Sequence, residues 1–442
     1  MAFRSIARHL EENGSALARQ VSQAGLSLFD PADLGPLMDL IGDSRYVLLG
    51  EATHGTAEFY MWRSFISQQL IREKGFSFIC VEGDWPDCYR VNRYAKSYPD
   101  SGADAYEVLV DFNRWPTWMW ANWEIVALVE WLRRYNDGRP DKVGFYGLDV
   151  YSLWESMESI IAYLEKYDPE AAKTAKKASS CFEPYGQNAE QYAWKVAMVP
   201  ESCEREVIDL LVELRHNPRR YERDDEDAFS AEQNALVMVD AERYYRTMVR
   251  GGAASWNVRD KHMFDTLIRL MQFHGPGSKA IVWAHNTHIG DARATDMVQA
   301  GEFNIGQLVR EHHSGDGVVL VGFATNRGTV VAADEWGAPM EDMMVPPGAP
   351  GSWEDVLHQA GNQDKLLILR DKAENPQWTE ARGQRAIGVV YNPAFERYGN
   401  YVPTSLPRRY DALLYIDESH SLHQLHVVPQ INVPPELYPW GI

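Results

Sequence analysis

Four short runs that are apolar at consecutive positions restrict the fold more than any other feature. "RYVLLGE" (45 to 51), "FSFICVEG" (76 to 83), "VGFYGLD" (143 to 149) and "KAIVWAHN" (279 to 286) are β-rich, and each precedes a polar turn and a helical pattern. A strand with one wet face is polar at every second position, whereas a strand apolar throughout needs cover on both faces. The pattern therefore predicts an α/β fold: a mostly parallel central sheet flanked by helices. "VVLVGFAT" (318 to 325), "GTVVAAD" (328 to 334), "KLLILRD" (365 to 371), "AIGVVY" (386 to 391) and "YDALLYIDE" (410 to 418) extend that sheet, partly antiparallel.

Between the third and fourth runs lies a long helical stretch containing "PESCEREVIDLLVELRHN" and "SAEQNALVMVDAERYYRTMVR", both apolar at helical spacing. An insertion of this size reads as a helical subdomain or lid. The chain thus divides into an N-terminal part of the α/β core (1–152), a helical insertion (153–275) and a C-terminal part of the core (276–442). The acidic run "YERDDEDAF" (221 to 229) reads as a solvated loop or helix start, and "MMVPPGAPGSW" (343 to 353) as a loop.

Composition narrows the partners. With a formal net charge of −20, the chain lacks the basic surface that nucleic acid requires. A neutral or cationic small molecule fits better. No apolar stretch is long enough to cross a bilayer, so no membrane is expected as a partner. The opening "MAFRSIARHLEENGSALARQ" reads as an amphipathic helix of a cytoplasmic protein, without the continuous apolar segment of a secretory signal. Cys80, Cys88, Cys181 and Cys203 form no C-x-x-C pair and are few for the length, which fits a reducing compartment and no structural zinc.

In a parallel α/β sheet the ligand crevice lies at the C-terminal strand ends. Read in order, those ends deliver Glu51 with His54, Glu82 with Asp84, Asp149, and His285 with Asn286 and His288. Four strands bring acids and imidazoles to one rim. Gly50 and Gly55 bracket the first pair, where the backbone can turn sharply and a ligand can approach. Thr56 stands where it would cap the next helix, with Glu58 in its first turn, so His54 lies ahead of a positive helix end. An imidazole there stays neutral and basic, as a general base must. Arg63, two turns along, reads either as a cation reaching the rim to steady an oxyanion or as a surface partner of Glu58.

The other candidates divide by chemistry. "WPTWMWANWE" (115 to 124) is either core packing or a wall for a large apolar ligand, making Trp115, Trp118 and Trp120 candidate substrate contacts together with Asp84 and Asn286. His285 and His288, with Glu51, Glu82 and His54, also form a donor set from which a metal site can be drawn. Neither H-E-x-x-H nor H-x-E with P-C-x-x-C is present, so the expectation is no metal and no cofactor. "ESHSLHQLH" (418 to 426) lacks an acidic companion and is not read as a ligand set. The G-x-S-x-G elbow and the P-loop are missing, and "GPGSKA" (275 to 280) precedes a strand instead of following one. What remains is water activated by histidine or by a metal.

At this point the motifs resemble a family. "GEATHG", "VEGDWPD", "GFYGLDVYS", "AHNTHI" and "PPELYPWG", spread from about residue 45 to the C-terminus, are similar to those of the erythromycin esterase family of macrolide-lactone hydrolases. The resemblance implies an α/β fold with a helical cover over a deep cleft, and ester hydrolysis by histidine-activated water without a serine nucleophile. It matches His54 to the family's general base, with Glu51 beside it, and puts Arg63, Glu82, His285 and His288 at further active-site positions. "SWNVRDKHM" (255 to 263) also resembles a family motif, without a role for Arg259 or His262 beyond site support.

The expected function is accordingly cleavage of a carboxylic ester or lactone in a bulky small molecule. His54 takes a proton from water, Glu51 or Glu82 orients it, and Arg63, His285 and His288 polarise the carbonyl. Activity should rise through the range where histidine titrates, near pH 6.5 for an unshifted group. The alternatives are a metal-dependent hydrolase using the same cluster and a non-catalytic macrocycle-binding protein.

Overall fold

The computed structural model describes residues 16–182, 203–216, 225–248 and 252–426. Its strands in chain order are β1 (Leu26–Ser27), β2 (Tyr46–Leu49), β3 (Phe78–Asp84), β4 (Gly144–Asp149), β5 (Ala280–Trp283), β6 (Val318–Ala332), β7 (Glu341–Val345), β8 (Lys365–Ile368), β9 (Arg382–Arg385), β10 (Tyr401–Thr404) and β11 (Ala412–Ser419). Eight form one path in the order β1, β8, β11, β6, β2, β5, β3, β4, with β7 on β6, while β9 and β10 pair separately. From β11 to β4 every neighbour pairs parallel; β1, β7 and β8 run antiparallel. The mostly parallel sheet flanked by helices is therefore as expected.

The non-alternating runs have a direct structural meaning. Val47, Leu49, Ile79, Val81, Phe145, Ile281 and Trp283 point into one apolar core, which the helices Ala57–Lys74 and Trp123–Asn136 cover. The intervening Tyr46, Leu48, Phe78, Cys80, Tyr146, Leu148 and Val282 enter a second core on the opposite face, against the helix Ala253–Phe273. Each strand is apolar at every position because each residue meets a helix on one side or the other.

Register sets the height of the crevice floor. Leu49 pairs with Trp283 and with Val321, and Trp283 pairs with Val81, so these strands finish on one level. β5 enters the sheet between β2 and β3. The segments leaving β2, β5 and β3 are consequently side by side, although they are far apart in sequence.

The stretch assigned to the insertion divides in two. Val150 to Tyr245 supplies a third apolar core of its own, built by helices Leu153–Tyr167, Pro169–Phe182, Glu204–His216 and Asp225–Met248. Helix Ala253–Phe273 instead packs on the sheet through Met263, Leu267 and Leu270.

Several local expectations change. The run at 328 to 334 continues β6 rather than starting a strand, and 386 to 391 makes only single bridges, Ile387 with Thr53 and Val390 with Ala333. Met343 to Val345, expected in a loop, lie on the edge strand β7. Cys181 and Cys203 form a disulfide, where a reducing compartment was expected to keep the thiols apart. Residues 1–15 of the amphipathic helix, 221–224 of the acidic run and the motif "PPELYPWG" lie outside the described residues. No described helix is long and apolar enough to cross a membrane.

Glu226, from that acidic run, is buried and pins the insertion to the core. It takes hydrogen bonds from Lys96 Nζ (2.6 Å), Tyr98 (2.5 Å), Tyr146 (2.5 Å) and Asn92 (2.9 Å). Burial pushes its carboxyl up, but Lys96 and the hydroxyls outweigh that and hold it at about 2. A depressed carboxyl stabilises the fold above its unfolded value and loses that contribution as pH falls through the folded one. Glu226→Ala, which strands the buried Lys96, should cost about 3 kcal/mol in urea unfolding at pH 7. The difference from wild type should shrink as pH falls from 4.5 toward 2.

Candidate active site

The turn after β2 is fixed from three sides. Gly50 N–H donates to Val321, Asn286 N–H donates to Glu51, and Gly55 O accepts from both Val331 (3.0 Å) and Leu422 (3.0 Å). A Cβ on Gly50 would lie 2.1 Å from Asn286 Oδ1, and one on Gly55 1.9 Å from Val331 O. The glycines thus admit the protein's own neighbouring loops, not a ligand. Thr56 stands at the helix start but does not cap it; its hydroxyl bonds Thr53 (2.5 Å), and Glu58 binds His420.

One chain of contacts runs from the sheet to the turn. Arg63 is fully buried over the rings of Tyr60 (4.3 Å) and Trp283 (4.6 Å) and donates from Nη2 to Glu51 Oε2 (2.6 Å). Glu51 Oε1 lies 2.9 Å from His54 Nδ1. A carboxylate bound to a guanidinium accepts only, so the proton of this bond sits on Nδ1 and the lone pair is left on Nε2. His54 Nε2 makes no hydrogen bond among the described residues, and the His54 side chain keeps 7% of its surface against 1% for Glu51 and 0% for Arg63. Arg63 is therefore neither the surface partner of Glu58 nor a carbonyl contact: it stands behind Glu51.

His285 faces this base, with ring centroids 4.9 Å apart. Its backbone N–H donates to Glu82 Oε2 (2.8 Å), and the Thr287 N–H points at its Nδ1 (3.3 Å). Nδ1 is then an acceptor, so the ring proton is on Nε2. Nε2 is buried without a hydrogen bond of normal geometry. Burial, aided by His54, holds this ring well below the ordinary imidazole range, so it is a neutral donor.

Behind His285 lies a second cluster. Arg259 donates to Glu82 Oε1 (2.6 Å) and, through two nitrogens, to Asp149 (2.9 and 2.7 Å). His288 Nδ1 bonds Asp260 (2.9 Å), and its Nε2 stands 3.0 Å from Arg259 and 3.4 Å from Glu82. Burial would raise Glu82, yet His288, Arg259 and His54 hold its carboxyl well below the usual range. Asp149, Arg259 and Asp260 carry this cluster, and none was assigned a role from sequence. The signal was present in "SWNVRD": Trp256, Arg259 and Asp260 fall three and four residues apart on one helix face.

Other candidates separate from the site. Trp118 is buried in the core, and Trp115 is half-buried against Trp118 and Trp336. Trp120 is buried too, donating its indole N–H to the Glu82 carbonyl (3.1 Å), so it supports the rim from behind. Asn286 spends its amide on the Phe323 peptide (2.7 and 3.2 Å), tying the β5 loop to β6. These contacts correct the expectation of ligand-facing side chains at Trp118, Trp120 and Asn286. Asp84 pairs with Arg114, whose guanidinium stands over Tyr151 (5.7 Å), so it flanks the Arg259 cluster, and His262 pairs with Asp240 of the insertion. His420 and His423 are exposed and held by Glu58 and Glu124.

Arg63 and Arg259 already occupy Glu51 and Glu82, and among the described residues no three His, Cys, Asp or Glu side chains are grouped to hold an ion.

The contact of Gly55 with backbone leaves no flexible neighbour to yield. Gly55→Ala should lower stability by about 1 to 3 kcal/mol in urea unfolding, a typical cost of overpacking. An unchanged midpoint would show that the turn is not clamped.

A family model described as erythromycin esterase matches residues 71–419, starting near the end of helix Ala57–Lys74 and so after Glu51, His54 and Arg63. Erythromycin esterase type II of Escherichia coli is 21% identical over 412 residues, covering 88% of this chain and 92% of that one. A putative hydrolase of Bacillus subtilis, YbfO, is 20% identical over 426 residues, covering 91% and 88%. Among solved structures, a succinoglycan biosynthesis protein superposes with a TM-score of 0.73 at 21% identity, covering 92% of this chain and 98% of its own. A histidine-to-asparagine mutant of the erythromycin esterase EreC in its open conformation gives 0.65 at 17%, covering 91% and 97%. The solved structures share the fold, and the family match spans most of the chain and brings hydrolase function at family level. This chain belongs to the erythromycin esterase family.

Proposed function

We propose that the protein hydrolyses a carboxylic ester or lactone of a bulky small molecule with water activated by His54. One observation carries the reading: Arg63 holds Glu51 and Glu51 holds Nδ1 of His54, which leaves Nε2 of that ring without a hydrogen bond among the described residues. Water bound there gives its proton to Nε2 while its oxygen attacks the carbonyl carbon. The tetrahedral oxyanion accepts a hydrogen bond from the Nε2–H of neutral His285, which lies by the Ala52 backbone without a hydrogen bond of normal geometry. Collapse expels the alkoxide, which recovers the proton from His54, so ester plus water becomes acid plus alcohol. Arg63 has no part in the carbonyl step; it holds Glu51 aimed at His54.

The family and the name of the Escherichia coli relative favour macrolide lactones as the first substrates to try. The net charge of −20 favours neutral or cationic ligands over nucleic acid. A cytoplasmic location stays part of this proposal, with the Cys181–Cys203 disulfide standing against it.

The test is incubation with macrolides and simple esters, read by mass for the gain of one water. His54→Ala should lose about 10² to 10⁴ in rate, the range for a general base. His285→Ala should lose about 10²-fold in kcat, as for one oxyanion donor. His423→Ala, at the exposed pair with Glu124, should hydrolyse at the wild-type rate. Binding without product across the panel, or full activity in His54→Ala, overturns the reading.

A further inference from the structure

Asp260 is completely buried and gives both oxygens to one partner, His288 Nδ1 (3.1 and 2.9 Å), with Oδ1 also accepting the Ile305 N–H (2.9 Å). Trp256, from the same helix face, lies flat on the His288 ring, with centroids 4.6 Å apart and planes 7° off parallel. The imidazole therefore cannot swing away, and its Nδ1 proton is fixed. The opposite nitrogen, Nε2, stands between two groups: Arg259 Nη1 at 3.0 Å and Glu82 Oε1 at 3.4 Å. Without a proton Nε2 accepts from Arg259, and with one it donates to Glu82.

We infer that Asp260 is a positioning residue that fixes the Nδ1 proton of His288, so that the ring is held as a donor to Glu82 and, through Glu82, steadies the backbone of His285. The inference rests on the hydrolytic reading above for its role in turnover, but not for its chemistry. The charge count supports it. Asp260, Glu82 and Asp149 are three buried carboxylates facing one guanidinium, Arg259. A protonated His288 supplies the second cation.

Every element around the ring contributes to the balance. Helix Ala253–Phe273 presents Asp260 and Arg259, β3 presents Glu82, β4 acts through Asp149 on Arg259, and neutral His285 lies on the ring's own loop. Glu302 adds further negative charge near Asp260. Burial alone would discharge His288; Asp260 and Glu82 instead hold it up to about 9.

The experiment is a histidine-selective NMR titration of the full chain, with the His288 signal assigned by its loss in His288→Gln. In wild type the ring should stay protonated at pH 7.5. In Asp260→Asn, which keeps an oxygen for the Ile305 N–H, its proton affinity should fall about tenfold or more. On an ester substrate the alkaline limb of kcat should move to lower pH by the same factor, with KM little changed. A wild-type His288 that is neutral at pH 7, or an Asp260→Asn ring that titrates like wild type, overturns the inference. If Asp260→Asn fails to fold, the wild-type titration alone decides. Because that signal is read without substrate, failure of ester hydrolysis and failure of the Asp260 assignment are distinguishable.

Discussion

A carboxylate removed from water must find a cation or neutralise itself, and the architecture of this rim follows from that requirement. The parallel sheet delivers Glu51, Glu82 and Asp149 to the ends of adjacent strands, where each is at least nine-tenths buried. Two guanidiniums resolve the conflict, and they arrive from opposite faces. Arg63 comes from the helix that covers one core, Arg259 from the helix that covers the other. The sandwich that makes the strands apolar on both sides is thus also what allows one cation to reach each acid.

Division of labour between the histidines follows. Glu51 is matched by Arg63 on one oxygen and meets His54 Nδ1 with the other, so the second nitrogen of His54 is left facing outward. Asp260 has no guanidinium of its own, and His288 is the group that meets both its oxygens. His285 sits between them with no carboxylate on its side chain, only a backbone bond to Glu82, and is accordingly neutral. His285 and His288 shift in opposite directions because their carboxylate neighbours are differently placed.

The sheet was legible in the sequence because burial on both faces leaves a local signature, the unbroken apolar run. Strands that pair only at an edge, β7 and β1, leave none, and β9 and β10 are too polar to stand out. Likewise Glu51, His54, Glu82, His285 and His288 were found because strand ends concentrate function. Their partners were harder. Which carboxylate Arg63 meets, whether Trp118 faces a ligand or the core, and that Asn286 bridges to Phe323 all depend on contacts between segments far apart in sequence. Asp260 and Arg259 lay in a motif already singled out, but a helix face carries no label of what it packs against.

That helix is where the fold couples the helical insertion to the rim. Residues 153 to 248 build their own apolar core, and the chain then returns along Ala253–Phe273, which carries Trp256, Arg259 and Asp260 onto the rim. Arg259 also stands over Tyr151 (4.8 Å), at the point where the chain leaves β4 for the insertion. His262 pairs with Asp240 on the insertion's last helix, three residues from Arg259. A shift of the insertion relative to the sheet would therefore act on Arg259 from both sides, as well as on the second core through Val237 and on β4 through Glu226. The turn that carries His54 is held instead by β6 and by the strap at Leu422. The groups supporting His285 thus share a helix that packs on the insertion, whereas the turn of His54 is fixed from elsewhere.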